Sequence, residues 1–255
     1  MSGSWVLLRG LMREQRHWGA FPQQLAWALP GAVIATPDLP GNGQRHRLDS
    51  PVRVAGMVEF LRRDLRVRGV PAPYHLLALS LGGMVAVEWA RLYPDEIAGL
   101  VLINTSMRPF SPFYRRLRWQ NYAALLALPF SAPARQERTL LRLTSSGSNG
   151  RSDQALLRRW TAYRRDYPVA RMNALRQLLA AARFTASSGA PQTPLLLLAS
   201  RADRLVDVSC SHALAGAWRA ELRLHPHAGH DLPLDDGPWV AEVIRTWLGR
   251  IPGQV

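Results

Sequence analysis

Six short runs rich in Val, Leu and Ile recur along the chain: Trp5 to Leu8, Val33 to Thr36, Tyr74 to Leu79, Gly99 to Asn104, Leu195 to Ala199 and Glu221 to His225. Runs this short that are apolar on both faces suit strands of a parallel sheet covered by helices. Helical periodicity fills most of the intervals, at Phe21 to Ala28, Val52 to Arg68, Met84 to Leu92, Ser209 to Trp218 and Trp239 to Leu248. The alternation predicts an α/β fold with a mostly parallel, doubly wound sheet. It breaks once. About ninety residues separate Asn104 from Leu195 with no strand signal, too many for a simple crossover. Apolar residues there fall at helical spacing over Asn121 to Leu128, Arg135 to Leu143, Ser152 to Asp166 and Val169 to Arg183. Pro109, Pro112, Pro129, Pro133 and Pro168 punctuate them, and Ser145 to Ser152, with Gly147 and Gly150, reads as a loop. The expected division is a core of residues 1–104 and 191–255 with a helical cap, 105–190, inserted into it.

Charge is distributed along the same division. All 32 basic residues are arginine, against 18 acids, giving a net +14. Without lysine, Schiff-base and P-loop chemistries are excluded, because a guanidinium cannot supply a neutral amine or a compact ammonium. Residues 105–190 hold 15 arginines against Glu137, Asp153 and Asp166, a net +12, while the remainder carries +2. A coding bias toward arginine replaces lysine everywhere, but does not remove acids from one segment. The excess therefore points to acidic partners approaching the insertion. Cys210 is the only cysteine, so no internal disulfide suggests an oxidising compartment. The first residues run straight into a strand without signal-peptide regions, and no apolar run reaches the ~18 residues of a membrane span. A cytoplasmic protein without a transmembrane segment is expected.

The chemistry concentrates at Tyr74-His-Leu-Leu-Ala-Leu-Ser80-Leu-Gly82-Gly83. A strand delivers Ser80 to a sharp turn from which a helix leaves at once, and Ala78 and Gly82 keep the flanks small. This is the pattern of a nucleophile elbow, although a serine capping the next helix gives similar letters. A serine hydroxyl needs a histidine to take its proton and a carboxylate to orient that histidine. The loop after Leu195 to Ala199 offers Asp203 and Asp207. The one after Glu221 to His225 offers His227 and His230, besides His225 itself.

With these motifs in the order Ser, acid, His, the chain resembles the serine α/β-hydrolases with an inserted cap, over essentially its full length. Asp203 with Val206 resembles the acid loop of that family, Ala228-Gly229-His230 its histidine loop, and Asp38-Leu-Pro-Gly41-Asn-Gly43 its Asp-x-Pro-Gly-x-Gly loop. The resemblance implies Ser80 as nucleophile, Asp203 as orienting acid and His230 as general base. It also implies an oxyanion hole from the backbone N–H groups of Leu11 and Leu81, with Arg9 standing where the family has histidine. A first strand at Trp5 leaves out the family's leading β-hairpin. Serine at the elbow separates the chain from dehalogenase and epoxide hydrolase relatives, which carry Asp there. No metal-ligand spacing is visible, and no cofactor is expected.

Within that family the Ser-Leu-Gly-Gly elbow and arginine-rich cap resemble the pimeloyl-carrier-protein methyl ester esterases of biotin synthesis, which dock an acidic acyl carrier protein. That resemblance implies a small ester substrate on such a carrier. Arg138, Arg142, Arg158 and Arg159 are then candidates for the docking patch, and Arg115, Arg116, Arg164 and Arg165 are further ones. Phe110, Phe113, Tyr114, Trp119, Tyr122, Phe130 and Trp160 are candidates for lining an acyl tunnel. The main competitor is a generic short-acyl carboxylesterase or a related C–C or thioester hydrolase. A different class, a basic cap binding nucleic acid or anionic membrane on a hydrolase scaffold, fits less well with Ser, Asp and His in motif positions.

Overall fold

The computed structural model of the chain describes residues 3–146 and 151–251. Gly147 and Gly150 of the expected loop lie outside them. All six apolar runs form strands: β1 (Ser4–Leu8), β2 (Val33–Ala35), β3 (Tyr74–Leu79), β4 (Ile97–Ile103), β5 (Leu195–Ser200) and β6 (Glu221–His225). They make one sheet in the order β2-β1-β3-β4-β5-β6, every pair parallel. β1, β3, β4 and β5 are almost wholly buried, as strands covered on both faces must be.

The helices are α1 (Phe21–Ala28), α2 (Val54–Val67), α3 (Leu81–Leu92), α4 (Phe113–Arg116), α5 (Tyr122–Ala127), α6 (Pro133–Thr144), α7 (Arg151–Asp166), α8 (Arg171–Arg183), α9 (Ser209–Trp218), α10 (Leu232–Asp235) and α11 (Gly237–Leu248). Two apolar layers sandwich the sheet. On one face Phe21 and Leu25 of α1 meet Val240, Ile244 and Trp247 of α11. On the other, α2 contributes Met57, Val58, Leu61 and Leu65, α3 contributes Val85 and Trp89, and α9 contributes Leu214 and Trp218.

Helices α4 to α8 all fall between β4 and β5, so helices fill the ninety-residue interruption of the strand pattern, called the insertion below. Strand order reverses between β1, which leads to β2 on one side, and β3, which leads to β4 on the other. In such sheets the crevice at the carboxyl ends of the strands flanking that switch point is where ligands bind. Gly10 follows β1 there and Ser80 follows β3. Pairing of Leu8 with Ala78 puts them side by side.

Candidate active site

Ser80 sits between β3 and α3 at φ 57°, ψ −117°, a left-handed conformation that a non-glycine residue adopts only when its surroundings impose it. The surroundings are specific. The Ser80 N–H donates to Ile103 O at 3.0 Å, and Thr105 Oγ1 donates to Ser80 O at 2.7 Å. A Cβ on Gly82 would stand 2.5 Å from Leu8 O, and one on Gly83 2.6 Å from Thr105 Oγ1. Ala78, where the motif usually has glycine, is fully buried without displacing the turn.

Asp203 and His230 meet at the same end of the sheet. Asp203 Oδ2 lies 2.7 Å from His230 Nδ1, while Oδ1 accepts the N–H groups of Leu205 at 2.7 Å and Val206 at 2.9 Å. Both side chains are buried. The Asx turn fixes the carboxylate, and the carboxylate fixes the imidazole so that Nε2 is the nitrogen left for exchange with a substrate or hydroxyl. The alternative partners are occupied elsewhere. Asp207 accepts from Arg118 and from the Ser209 N–H, His225 Nε2 is 3.2 Å from Asp236, and His227 is exposed.

The backbone on either side of the elbow, at Leu81 and at Gly10, lies close to Ser80. Leu81 N opens α3, where the helix dipole favours negative charge. Leu11 N follows Gly10, where a methyl group would lie 3.1 Å from Ser80 Cβ and 3.6 Å from its Oγ.

Arg9, in the place of the expected histidine, is 3% exposed and holds Asp231 with both guanidinium nitrogens, at 3.0 and 2.5 Å, while stacking over Trp18. The strand end bearing Gly10 is thereby tied to the residue after His230. Two residues adjacent in sequence were not singled out as candidates. Asn104 donates to His230 O at 2.8 Å and accepts from Ser200 N at 2.9 Å, and Thr105 holds the elbow. Their signal was a polar pair closing the apolar run of a central strand.

The insertion reaches the site through polar contacts. Thr144 O accepts the Asp231 N–H at 2.7 Å, and Gly229 lies so close that a Cβ would meet Thr144 O at 2.8 Å. Fully buried Glu137 of α6 accepts from Arg13 at 2.5 Å and from Arg164 of α7. Burial pushes the Glu137 carboxyl up, but the two guanidiniums outweigh it and hold it below the ordinary range. Burial, together with Arg13 and Arg9, pushes the neighbouring His17 well below 6.5, keeping it neutral.

Arg138, Arg142, Arg158 and Arg159 are exposed and form no ion pair among the described residues. Arg135 and Arg142 edge a cleft of about 270 Å³ over Ala124, Ala127 and Leu128. Arg164 is committed to Glu137, and Arg116 donates to Ala181 O at 2.6 Å, so neither presents a free surface charge. The acyl-tunnel expectation needs correction as well. Phe113, Tyr114, Trp119 and Phe130 are exposed, and Trp160 lies under Arg13 and against His17. Their helical spacing reported surface and interface positions, not an enclosed tunnel.

Among the described residues no three His, Cys, Asp or Glu side chains gather as metal ligands, and no helix is long and apolar enough to cross a membrane.

Residues 5–243 match the alpha/beta hydrolase family. The pimeloyl-[acyl-carrier protein] methyl ester esterase of Chromobacterium violaceum is 30% identical over 80% of this chain and 77% of its own. Its namesake from Methylococcus capsulatus is 29% identical over 95% of this chain and 93% of its own. In structure, a thermophilic esterase from Thermogutta terrifontis superposes with a TM-score of 0.77 at 22% identity, covering 98% of this chain and 90% of the other.

Proposed function

The chain belongs to the alpha/beta hydrolase family and is a hydrolase of the esterase type, and we propose that it cleaves carboxylic esters through an acyl-enzyme on Ser80. The observation that carries this reading is the buried 2.7 Å contact of His230 with Asp203 at the sheet end that also presents the left-handed Ser80. Ser80 Oγ attacks the ester carbonyl carbon as His230 Nε2 takes its proton. The Leu11 and Leu81 N–H groups receive the oxyanion, in a site where fixed dipoles need no reorganisation. Collapse expels the alcohol, which leaves with the proton from His230. Water, deprotonated by the same nitrogen, then attacks the acyl carbon, and the acid departs as Ser80 recovers its proton.

Residues 105–190 act as the cap in this reading, and their charge selects the substrate. The named relatives and the unpaired Arg138, Arg142, Arg158 and Arg159 support an ester carried on an acidic acyl carrier protein, with pimeloyl methyl ester as the acyl group. A cytoplasmic location goes with it, and the single buried Cys210 is in keeping with a reducing compartment.

Fluorophosphonate labelling tests the chemistry: the wild type should label and Ser80→Ala should not, and equal labelling overturns the reading. Charge reversal at Arg138 and Arg142 tests the substrate. KM for a carrier-bound ester should rise about tenfold or more while p-nitrophenyl acetate is spared. Equal effects on both substrates would reduce the protein to a general short-acyl carboxylesterase.

A further inference from the structure

Helix α8 is inverted. Asn173, Gln177 and Ala180 face inward and are buried, whereas Met172, Leu175 and Leu178 are exposed. A helix docked by apolar packing shows the opposite arrangement. Ahead of Ala180, which packs in the apolar core, its inner face is therefore held by hydrogen bonds, and these divide into two sets. Asn173 makes docking bonds only, accepting from Ser50 N at 2.9 Å and donating to Leu48 O at 2.9 Å. Gln177 reaches further. Its Nε2 donates to Asn42 Oδ1 at 2.8 Å, to Ser50 Oγ at 2.9 Å and to Pro40 O at 3.3 Å, and its Oε1 accepts the Met12 N–H at 3.0 Å.

Met12 follows Leu11 in the loop that bears the proposed oxyanion donor, and its φ is 55°. A side chain as large as Met takes that conformation only when neighbouring bonds over-determine it. Asn42 Nδ2 grips the carbonyl of the following residue, Arg13, at 2.9 Å, and Arg13 N closes the turn onto Gly10 O at 3.3 Å. Two amide side chains bonded to each other thus hold the loop Gly10 to Arg13 at the N–H of Met12 and at the carbonyl of Arg13. One of them comes from the insertion.

We propose that Gln177 is a positioning residue, which through Met12 keeps the Leu11 N–H aimed at the reacting carbonyl and makes the oxyanion hole conditional on the seating of α8. The inference rests on the esterase reading above. It implies that cap movement on substrate arrival is read directly by the transition-state donors, since the same side chain serves both.

Gln177→Met keeps the length and removes both bonding groups. With p-nitrophenyl acetate it should lower kcat about ten- to a hundredfold, less than or equal to the loss of a direct donor, with KM unchanged within about twofold. Affinity for a boronic acid that forms the tetrahedral serine adduct should fall by a similar factor. Gln177→Glu, which keeps an acceptor for Met12, should recover part of the loss. Asn173→Ala, in which the bonds of Gln177 keep α8 seated against the loop, should lower the melting temperature while leaving kcat within about threefold. Should Gln177→Met not fold, Asn42→Ala takes its place with the same expected split. Unchanged kcat in Gln177→Met, or kcat losses that simply follow the melting temperatures of the two α8 variants, would overturn the inference alone. A wild type that fails to label with fluorophosphonate would overturn the esterase reading and the inference with it.

Discussion

The sheet is held by apolar burial on both faces, whereas the helical insertion adds buried polar contacts to the apolar packing of Leu140, Leu141, Leu143, Trp160 and Phe184. Leu7, Leu8, Leu76, Leu77, Leu100 and Val101 stand at zero exposure in strands that bury both faces. The insertion turns Glu137, Asn173 and Gln177 inward and leaves Leu126, Phe130, Met172 and Leu175 more than half exposed. Apolar burial is non-directional and tolerates small displacements, so it suits a scaffold. Hydrogen bonds and ion pairs fail sharply when geometry changes, and so suit a part whose position the chemistry must sense. The net +12 of residues 105–190 sharpens the contrast, because charge of one sign on an insertion opposes its tight packing and leaves it reliant on the few acids it has.

Glu137 is the first place to break that contrast. It is the buried acid between Arg13 of the core loop and Arg164 of α7, so Glu137→Ala leaves two guanidiniums facing each other without a counter-charge. Removing one partner of a buried ion pair costs about 3–5 kcal/mol. Urea denaturation should show a loss of that size, and ester turnover should fall with it because Arg13 closes the loop carrying Leu11. Replacing Arg13, Glu137 and Arg164 together by apolar residues of similar volume should restore most of the stability. A cost below about 1 kcal/mol for the single variant would mean that the insertion is docked by something other than this pair.

The same contrast explains what could be read from the sequence. Strands buried on both faces must be continuous apolar runs, and each of the six runs is a strand, within one or two residues at most of its ends. The pairing of Asp203 with His230 was legible because each follows a strand in a short motif. The polar latches were not. Gln177 and Glu137 lie in helices whose apolar spacing predicts a buried stripe, and only the partners, at positions 12, 42, 13 and 164, show that the polar residues face inward. On α8 periodicity located the helix, but its exposed Met172, Leu175 and Leu178 do not mark the inner face. Arg9 was visible as a departure from the family histidine, but its compensation by Asp231 joins positions 222 residues apart.

The smallest expected effect separates the two regions by the sign of their response to pH. Asp38 belongs to the core loop and accepts the N–H groups of Gln15 at 2.8 Å and Gln44 at 2.9 Å, yet burial outweighs those bonds and pushes its carboxyl up to about 6. The folded state then holds a proton that the unfolded chain has released, so the stability this group provides is present below its ordinary 3.8 and is lost as pH rises through about 6. Glu137 runs the other way. Its carboxyl is held below the ordinary 4.5, and its contribution is present above that range and lost as pH falls. Between pH 4 and 6 the Asp38 contribution amounts to about 2 kcal/mol. In urea unfolding followed across about pH 2 to 8, Asp38→Asn should therefore flatten the decline between about 4 and 6 and leave the acid limb in place, whereas Glu137→Gln should reduce the acid limb. An unaltered slope in Asp38→Asn would show that Asp38 ionises in the folded protein as it does in the unfolded chain, and the core loop would then share the behaviour of the latch.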